Sequence, residues 1–321
     1  MTMYNLFTIN LRHIKFLGII IFSLLLSTQV FADKKADKRF EKDLKKISKD
    51  NAFVDNLGKI YPVDNISDKK NTILIVYTHW SGNDHRLDKC NKKRNKVPPI
   101  ILNLHDKKIK DLNVKIYHLC SGARGWTENH WRKMDDVYKN LSKDNFSKII
   151  KDDFDAIKFD GAKQFRKQKV IINKVDELIN LGFENIILAG HSGGGWASIT
   201  LKSKYPNKIS GALAINPAFS GTLNNRREWK FWELLREYGI NQINLTSLKN
   251  TLIYVHDKDD HENSKTLSFL DLDTVAYKDI SKTDCKAKLI FGKHHGIPLT
   301  KCFAESDVNK KEMIKFLEGI F

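Results

Sequence analysis

Apolar and polar positions along the chain alternate between two kinds of segment. Thr72 to Thr78 (Thr-Ile-Leu-Ile-Val-Tyr-Thr) is an unbroken apolar run, which predicts a strand buried on both faces. Asn113–Leu119, Asn185–Ala189, Gly211–Ile215, Thr251–His256 and Lys288–Phe291 read as further strands. Helical patterns fall between them. Residues 97–110 suit a helix opened by Pro98 and Pro99, and Ala162–Leu181 carries Val170, Ile171, Val175, Leu178 and Ile179 at helical spacing before the stop at Gly182. A helix after Gly195 runs to Tyr205 and closes at Pro206, Glu228–Tyr238 is helical, and 306–320 forms a closing helix. Strands alternating with helices imply an α/β fold, with a mostly parallel central sheet flanked by helices and right-handed crossovers.

Three stretches stand outside this alternation. Residues 33–58, with Phe40, Leu44, Ile47 and Phe53 among many Lys and Asp, read as an amphipathic helix or charged leader. The polar segments at about 120–159 and 217–249 read as insertions, whose aromatics Trp126, Trp131, Trp229, Phe231 and Trp232 suit a pocket wall or ordinary packing. The expected organisation is a targeting segment at 1–32, a charged helical leader at 33–71 and one domain at 72–321.

The start of the chain changes the picture of where the protein works. Arg12 and Lys15 precede an apolar run from Phe16 to Leu26, and Val30-Phe31-Ala32 offers the small residues of a cleavage site. The expectation is a signal peptide cut after Ala32 and a secreted or periplasmic mature chain without a transmembrane segment. Cys90, Cys120, Cys285 and Cys302 are then even in number and in an oxidising space, where pairing of chain neighbours joins Cys90 to Cys120 and Cys285 to Cys302. No Cys-x-x-Cys occurs, which counts against a zinc ribbon or a thioredoxin-like site. Formal net charge is +17, but the lysines are spread among acids and no aromatic-plus-basic nucleic-acid motif stands out.

The strongest chemical signal is Gly190-His191-Ser192-Gly193-Gly194, set between a buried strand and a helix. Glycines on both sides of the serine let the chain turn sharply while backbone packs on backbone. Ser192 is then presented at a strand end, and the helix beginning after it aims the Gly193 N–H at a developing oxyanion.

The run from Asn185 to Gly195 resembles the α/β-hydrolase superfamily, and most of the chain from about residue 72 onward fits its order of elements. The resemblance implies a nucleophile, acid and histidine in that order. Asp257, Asp259 and Asp260 follow the Thr251–His256 strand, and the family's preference for a position a few residues beyond the strand favours Asp259. Gly292-Lys293-His294-His295-Gly296 supplies the histidine, where the glycine that commonly follows favours His295 over His294. The loop His79-Trp80-Ser81-Gly82 resembles the superfamily's His-Gly oxyanion segment with Trp in place of Gly, so Trp80 or Ser81 gives the second donor beside Gly193. The missing strands ahead of residue 72 imply a reduced N-terminal sheet.

The function this implies is a serine hydrolase acting on a carboxylic ester or related acyl bond of a small-molecule or lipid-like substrate. It needs no cofactor and no metal; His256, His261 and the histidine pair show no metal-ligand spacing on one element. A serine peptidase or lipase on the same fold is an alternative, as is a non-catalytic binding protein for an anionic envelope component. Oligomeric state is not encoded in any motif.

Overall fold

The computed structural model describes residues 38–42, 53–62, 66–79, 96–122, 135–136, 162–222, 230–287 and 292–321. Its centre is the apolar run already met in the sequence. Strand β3 (Thr72–Thr78) is buried along its whole length. It pairs in parallel with β5 (Leu112–Leu119) on one side and with β6 (Asn185–Ser192) on the other. Beyond β6 lie β7 (Gly211–Pro217), β8 (Thr251–Val255) and β9 (Val275–Asp279), all parallel. At the opposite edge the two-residue strands β1 (Phe53–Val54) and β2 (Ile60–Tyr61) run antiparallel, and β4 (Lys108–Ile109) hairpins onto β5. The order is β2-β1-β5-β3-β6-β7-β8-β9. Two strands thus precede residue 72 where the sequence pattern shows none, each only two residues long.

Side-chain alternation divides the core into two layers. Ile73, Ile75 and Tyr77 of β3 join Ile187, Ala189, Leu213, Leu252 and Tyr254 on one face, under Met313 and Leu317 of the C-terminal helix α6 (Asp307–Ile320). The intervening Leu74 and Val76 face the other way, with Ile186 and Leu188, toward Val170, Ile171, Val175 and Leu178 of α2 (Lys163–Asn180) and Ala197 and Leu201 of α3 (Gly193–Lys204). The same face continues over β7 and β8, where Ala214, Ile253 and Val255 meet Phe231, Leu234 and Leu235 of α4 (Lys230–Asn241). A strand read on both sides this way has no polar face, which is why β3 is apolar at every interior position.

Three expectations change. The helix foreseen over 97–110 is confined to α1 (Pro99–Leu102), because Asp106 (φ 59°) and Lys110 (φ 52°) take left-handed conformations that turn the chain into the β4–β5 hairpin. The edge strand β9, Val-Ala-Tyr-Lys-Asp, is only partly buried and too mixed in polarity to stand out as a strand. Phe53 and Val54, read as part of a helical leader, are paired with Ile116 and Tyr117 instead, while a helical turn occupies 38–42. The expected strand at 288–291, most of the 120–159 insertion and residues 1–37 lie outside the described residues. Among the described residues no helix is long and apolar enough to cross a membrane.

Two covalent and ionic ties close the C-terminal half. Cys285 and Cys302, the latter on α5 (Lys301–Glu305), form a disulfide with Cα atoms 5.7 Å apart. Cys120 is also disulfide-bonded; Cys90, its expected partner, lies outside the described residues. Arg236 of α4 binds Glu262 with both oxygens, Nε to Oε1 at 2.9 Å and Nη2 to Oε2 at 3.1 Å, and adds the Thr266 carbonyl at 2.6 Å. The Glu262 side chain is fully buried, so the guanidinium meets a carboxylate already withdrawn from water. Replacing Arg236 by Ala removes the two-pronged cationic contact from a buried carboxylate, and urea denaturation of Arg236→Ala is expected to show a loss of about 3 kcal/mol.

Candidate functional site

Strand β3 leads on to β5 on one side of itself, and the chain then crosses to β6 on the other. The carboxyl ends of β3 and β6 therefore border the crevice where the sheet reverses its winding direction, the usual ligand position in open α/β sheets. Ser192 is the last residue of β6 and the residue before α3. It has φ 55° and ψ −123°, a conformation that a non-glycine residue holds only when its surroundings impose it. The imposing contact is visible one turn later. A Cβ on Gly194 would lie 2.2 Å from the Thr78 carbonyl oxygen, and one on Gly190 would lie 2.3 Å from the Gly194 carbonyl carbon. Only glycine lets α3 start so close to the end of β3. The register with β7 slips between His191 and Ser192, and the Ser192 carbonyl accepts from the Ala218 N–H at 3.1 Å. Although serine at this position commonly caps the helix, the Ser192 hydroxyl makes no capping bond. Gln164 of α2 braces the start of α3 by donating to the Gly193 carbonyl at 3.0 Å.

The acid and the histidine come from the turn after β8 and from the loop before α5. Asp259 is held in a turn by its N–H on the His256 carbonyl at 3.1 Å. One of its oxygens accepts from the His261 N–H at 2.8 Å, and the other lies 2.6 Å from Nδ1 of His295. Both side chains are buried. Burial pushes the Asp259 carboxyl upward, but hydrogen bonds from His261 and His295 outweigh it and hold the group below the usual carboxylate range. With Nδ1 bound to a carboxylate, His295 carries its proton there and leaves Nε2 as an acceptor, and this atom is buried without a hydrogen-bond partner among the described residues. The neighbouring candidates are engaged elsewhere. His294 packs its ring 4.3 Å from that of His256, Asp257 sits at the surface beside His256, and Asp260 bonds His261.

Two further residues tie the histidine loop to the sheet. The carbonyl of His295 accepts from Nε2 of His191 at 2.9 Å and from Nδ2 of Asn216 at 2.9 Å. Burial, with the nearby His295, drives the His191 ring down to about 3, so it stays neutral and donates. Thus the residue immediately before Ser192 touches the loop that carries His295, with ring centres 4.5 Å apart. A serine on a strained turn at the end of β6, an acid after β8 and a histidine in the last loop, around a parallel sheet in this order, make up one arrangement. The chain has the α/β-hydrolase fold.

No family model matches the chain, and no curated protein matches it in sequence. Among solved structures it is similar to a thermostable esterase, at 12% identity over 80% of this chain and 57% of that one, with a TM-score of 0.44. It is similar to a prolyl endopeptidase at 11% identity over 85% and 39%, TM-score 0.46, and to Est1E from Butyrivibrio proteoclasticus at 12% identity over 83% and 98%, TM-score 0.46. The chain therefore spans little more than half of the first structure and less than two fifths of the second. The assignment of the α/β-hydrolase fold to this chain rests on strand order and on the turn at Ser192.

Of the residues singled out in the sequence, Ser192, Gly193, Asp259 and His295 lie among the described residues, whereas Trp80 and Ser81 lie outside them. His79, just before them, is fully buried at the end of β3. His191 and Asn216 carried no role in the sequence reading. The signal for His191 was its place inside the glycine motif; Asn216 follows the buried run Gly211–Ile215 directly, and a polar residue there needs a partner. Asp259, His261 and His295 each offer one metal-ligating atom within 4.8 Å of the others. These atoms already serve a hydrogen-bonded network, since Asp259 is shared between His261 and His295 and His261 Nδ1 lies 2.8 Å from Asp260.

The packing at Gly194 yields a direct test. Gly194→Ala must displace either β3 or the first turn of α3, and thermal unfolding is expected to show destabilisation of more than about 2 kcal/mol. An unchanged midpoint would mean that the two segments are not pressed together.

Proposed function

We propose that this chain hydrolyses a carboxylic ester or related acyl bond through an acyl-serine intermediate on Ser192. The observation that carries this reading is the bond between His295 and Asp259, which leaves the second imidazole nitrogen without a partner in a loop anchored to the serine's own strand. His295 takes the Ser192 hydroxyl proton as the oxygen attacks the acyl carbonyl. The carbonyl oxygen becomes an oxyanion, met by the Gly193 N–H at the start of α3 and by a second N–H from Trp80 or Ser81, in the loop beyond β3. Collapse of this intermediate breaks the ester C–O bond, and His295 returns its proton to the departing alcohol. Water then attacks the acyl-serine, again losing its proton to His295, and the carboxylic acid leaves while Ser192 regains its hydroxyl.

Asp259 orients the ring and stabilises its charged form during each transfer. A base must be unprotonated before it can act, and two features favour that state. Burial pulls His295 below the ordinary imidazole range and outweighs the opposing effect of Asp259, and the charge of His261 acts in the same direction as burial. Export fits the same picture, because the disulfides at Cys285–Cys302 and at Cys120 belong to an oxidising compartment.

An active-site fluorophosphonate is expected to label the wild type and to leave Ser192→Ala unlabelled. Folded wild-type protein that takes no label would overturn the proposal in favour of a binding protein on this fold. With an activated ester, Asp259→Asn is expected to lower kcat by about 10³ to 10⁴, as the wrong tautomer does in serine proteases, and His294→Ala to change it by less than about tenfold.

A further inference from the structure

His295 is touched by two other imidazoles, and the two are unlike. His191 is neutral and spends its Nε2 proton on a buried carbonyl. His261 lies against His295 with ring centres 4.0 Å apart and planes inclined by only 16°. Its Nδ1 lies 2.8 Å from an Asp260 oxygen and 3.5 Å from an Asp259 oxygen, so two carboxylates face one ring nitrogen. The histidine loop is shaped to allow this contact. Gly292 has φ +79°, and a Cβ there would lie 3.0 Å from the Asp260 oxygen and 3.6 Å from His261 Cε1.

We propose that His261 is an electrostatic partner of His295, its ring stacked on that of the base and held by two carboxylates so that a proton it takes places positive charge against His295. The inference rests on the hydrolase reading for its catalytic meaning but not for its physics. The charged and titratable groups facing the pair are His191 from the end of β6 and Asp259 and Asp260 from the turn after β8; His294 turns instead to His256. Burial opposes charge on both rings. For His261 the contacts with Asp259 and Asp260 outweigh burial and the ring is pushed above its ordinary value, whereas His295 is pushed below it by burial, with His261 adding to that effect. As pH falls His261 therefore gains its proton first, and its charge postpones protonation of His295. The base stays competent further into the acid range than Asp259 alone would permit.

The test follows the imidazole Cε1–H resonances of ¹³C-labelled protein through a pH titration, with His295 assigned from its absence in His295→Gln. In the wild type the His295 resonance is expected to show two inflections, the upper one coinciding with titration of His261. In His261→Gln the upper inflection should vanish and His295 should titrate at least about half a pH unit higher. The acid limb of kcat/KM should move upward with it. A single inflection in the wild type, or a His295 midpoint unchanged or lowered in His261→Gln, would overturn the proposal. If the variant fails to fold, the wild-type curve alone decides. Coupled titration in a wild type that neither hydrolyses acyl substrates nor takes a fluorophosphonate would leave this inference standing and remove the hydrolase reading.

Discussion

The carbonyl of Thr78 and the α-carbon of Gly194 are so close that no side chain fits between them, and the rest of the site is arranged around that contact. It brings the first turn of α3 against the end of β3. The chain leaving β6 must then reverse within one residue, and Ser192 takes the left-handed backbone that the reversal demands. Strain of this kind costs of order 1–3 kcal/mol and persists only when the surroundings leave no alternative. Here the surroundings are three strands and a helix, with β6 paired to β3 from Asn185 to Gly190 and to β7 from Ile187 to Ser192 across the slip at the turn. The same contact sets the first turn of α3 against the Thr78 and His79 carbonyls.

The histidine loop depends on that framework in turn. It meets the sheet at the His295 carbonyl, which accepts from His191 and Asn216 at the ends of two adjacent strands, and at the His294 carbonyl, which Asn216 also reaches at 3.3 Å. Asn216, at φ 39°, is itself in a left-handed conformation at the end of β7, so the clamp shares the backbone economy of the serine turn. Further out, the disulfide brackets the loop from residue 285 to residue 302, and the Arg236–Glu262 pair fixes the segment just beyond Asp259 to α4. Closing a loop of that length contributes about 3 kcal/mol in the chain-entropy view, comparable to the backbone strain at the turn.

How much of this was legible in the amino-acid order depends on whether the cause is local. β3 could be read to the residue, because burial on both faces removes every polar position from Thr72 to Thr78. The limits of α2, β7 and α6 shifted by a residue or two, within what end fraying allows. The helix foreseen after Pro98 was cut short by two non-glycine residues at positive φ, which no pattern announces. β1 and β2 are two residues each, and their partners lie elsewhere in the fold or in a neighbour as short, β1 on the edge of β5 and β2 on β1. In the site, the serine motif is local and was visible. The bond from His295 to Asp259 spans 36 residues, and sequence order narrowed its partners to three acids and two histidines without choosing between them on residue evidence alone. His191 and Asn216 act through side-chain donors aimed at a distant carbonyl, and such aim belongs to the fold.

The distribution of charge follows from burial. An isolated carboxylate at the depth of Asp259 would cost several kcal/mol, and it is offset by donors on both oxygens, one a backbone N–H and the other an imidazole. Burial pushes the His295 ring below the ordinary imidazole range against the pull of Asp259, while the contacts of the partly exposed His261 with Asp259 and Asp260 outweigh burial and push it above. The arrangement separates a histidine–carboxylate pair nearer solvent from a base in the interior. In the reaction proposed above, proton transfer from Ser192 creates charge on His295 only while the oxyanion exists to balance it, so the ground state avoids the desolvation penalty and the low dielectric favours the transition state.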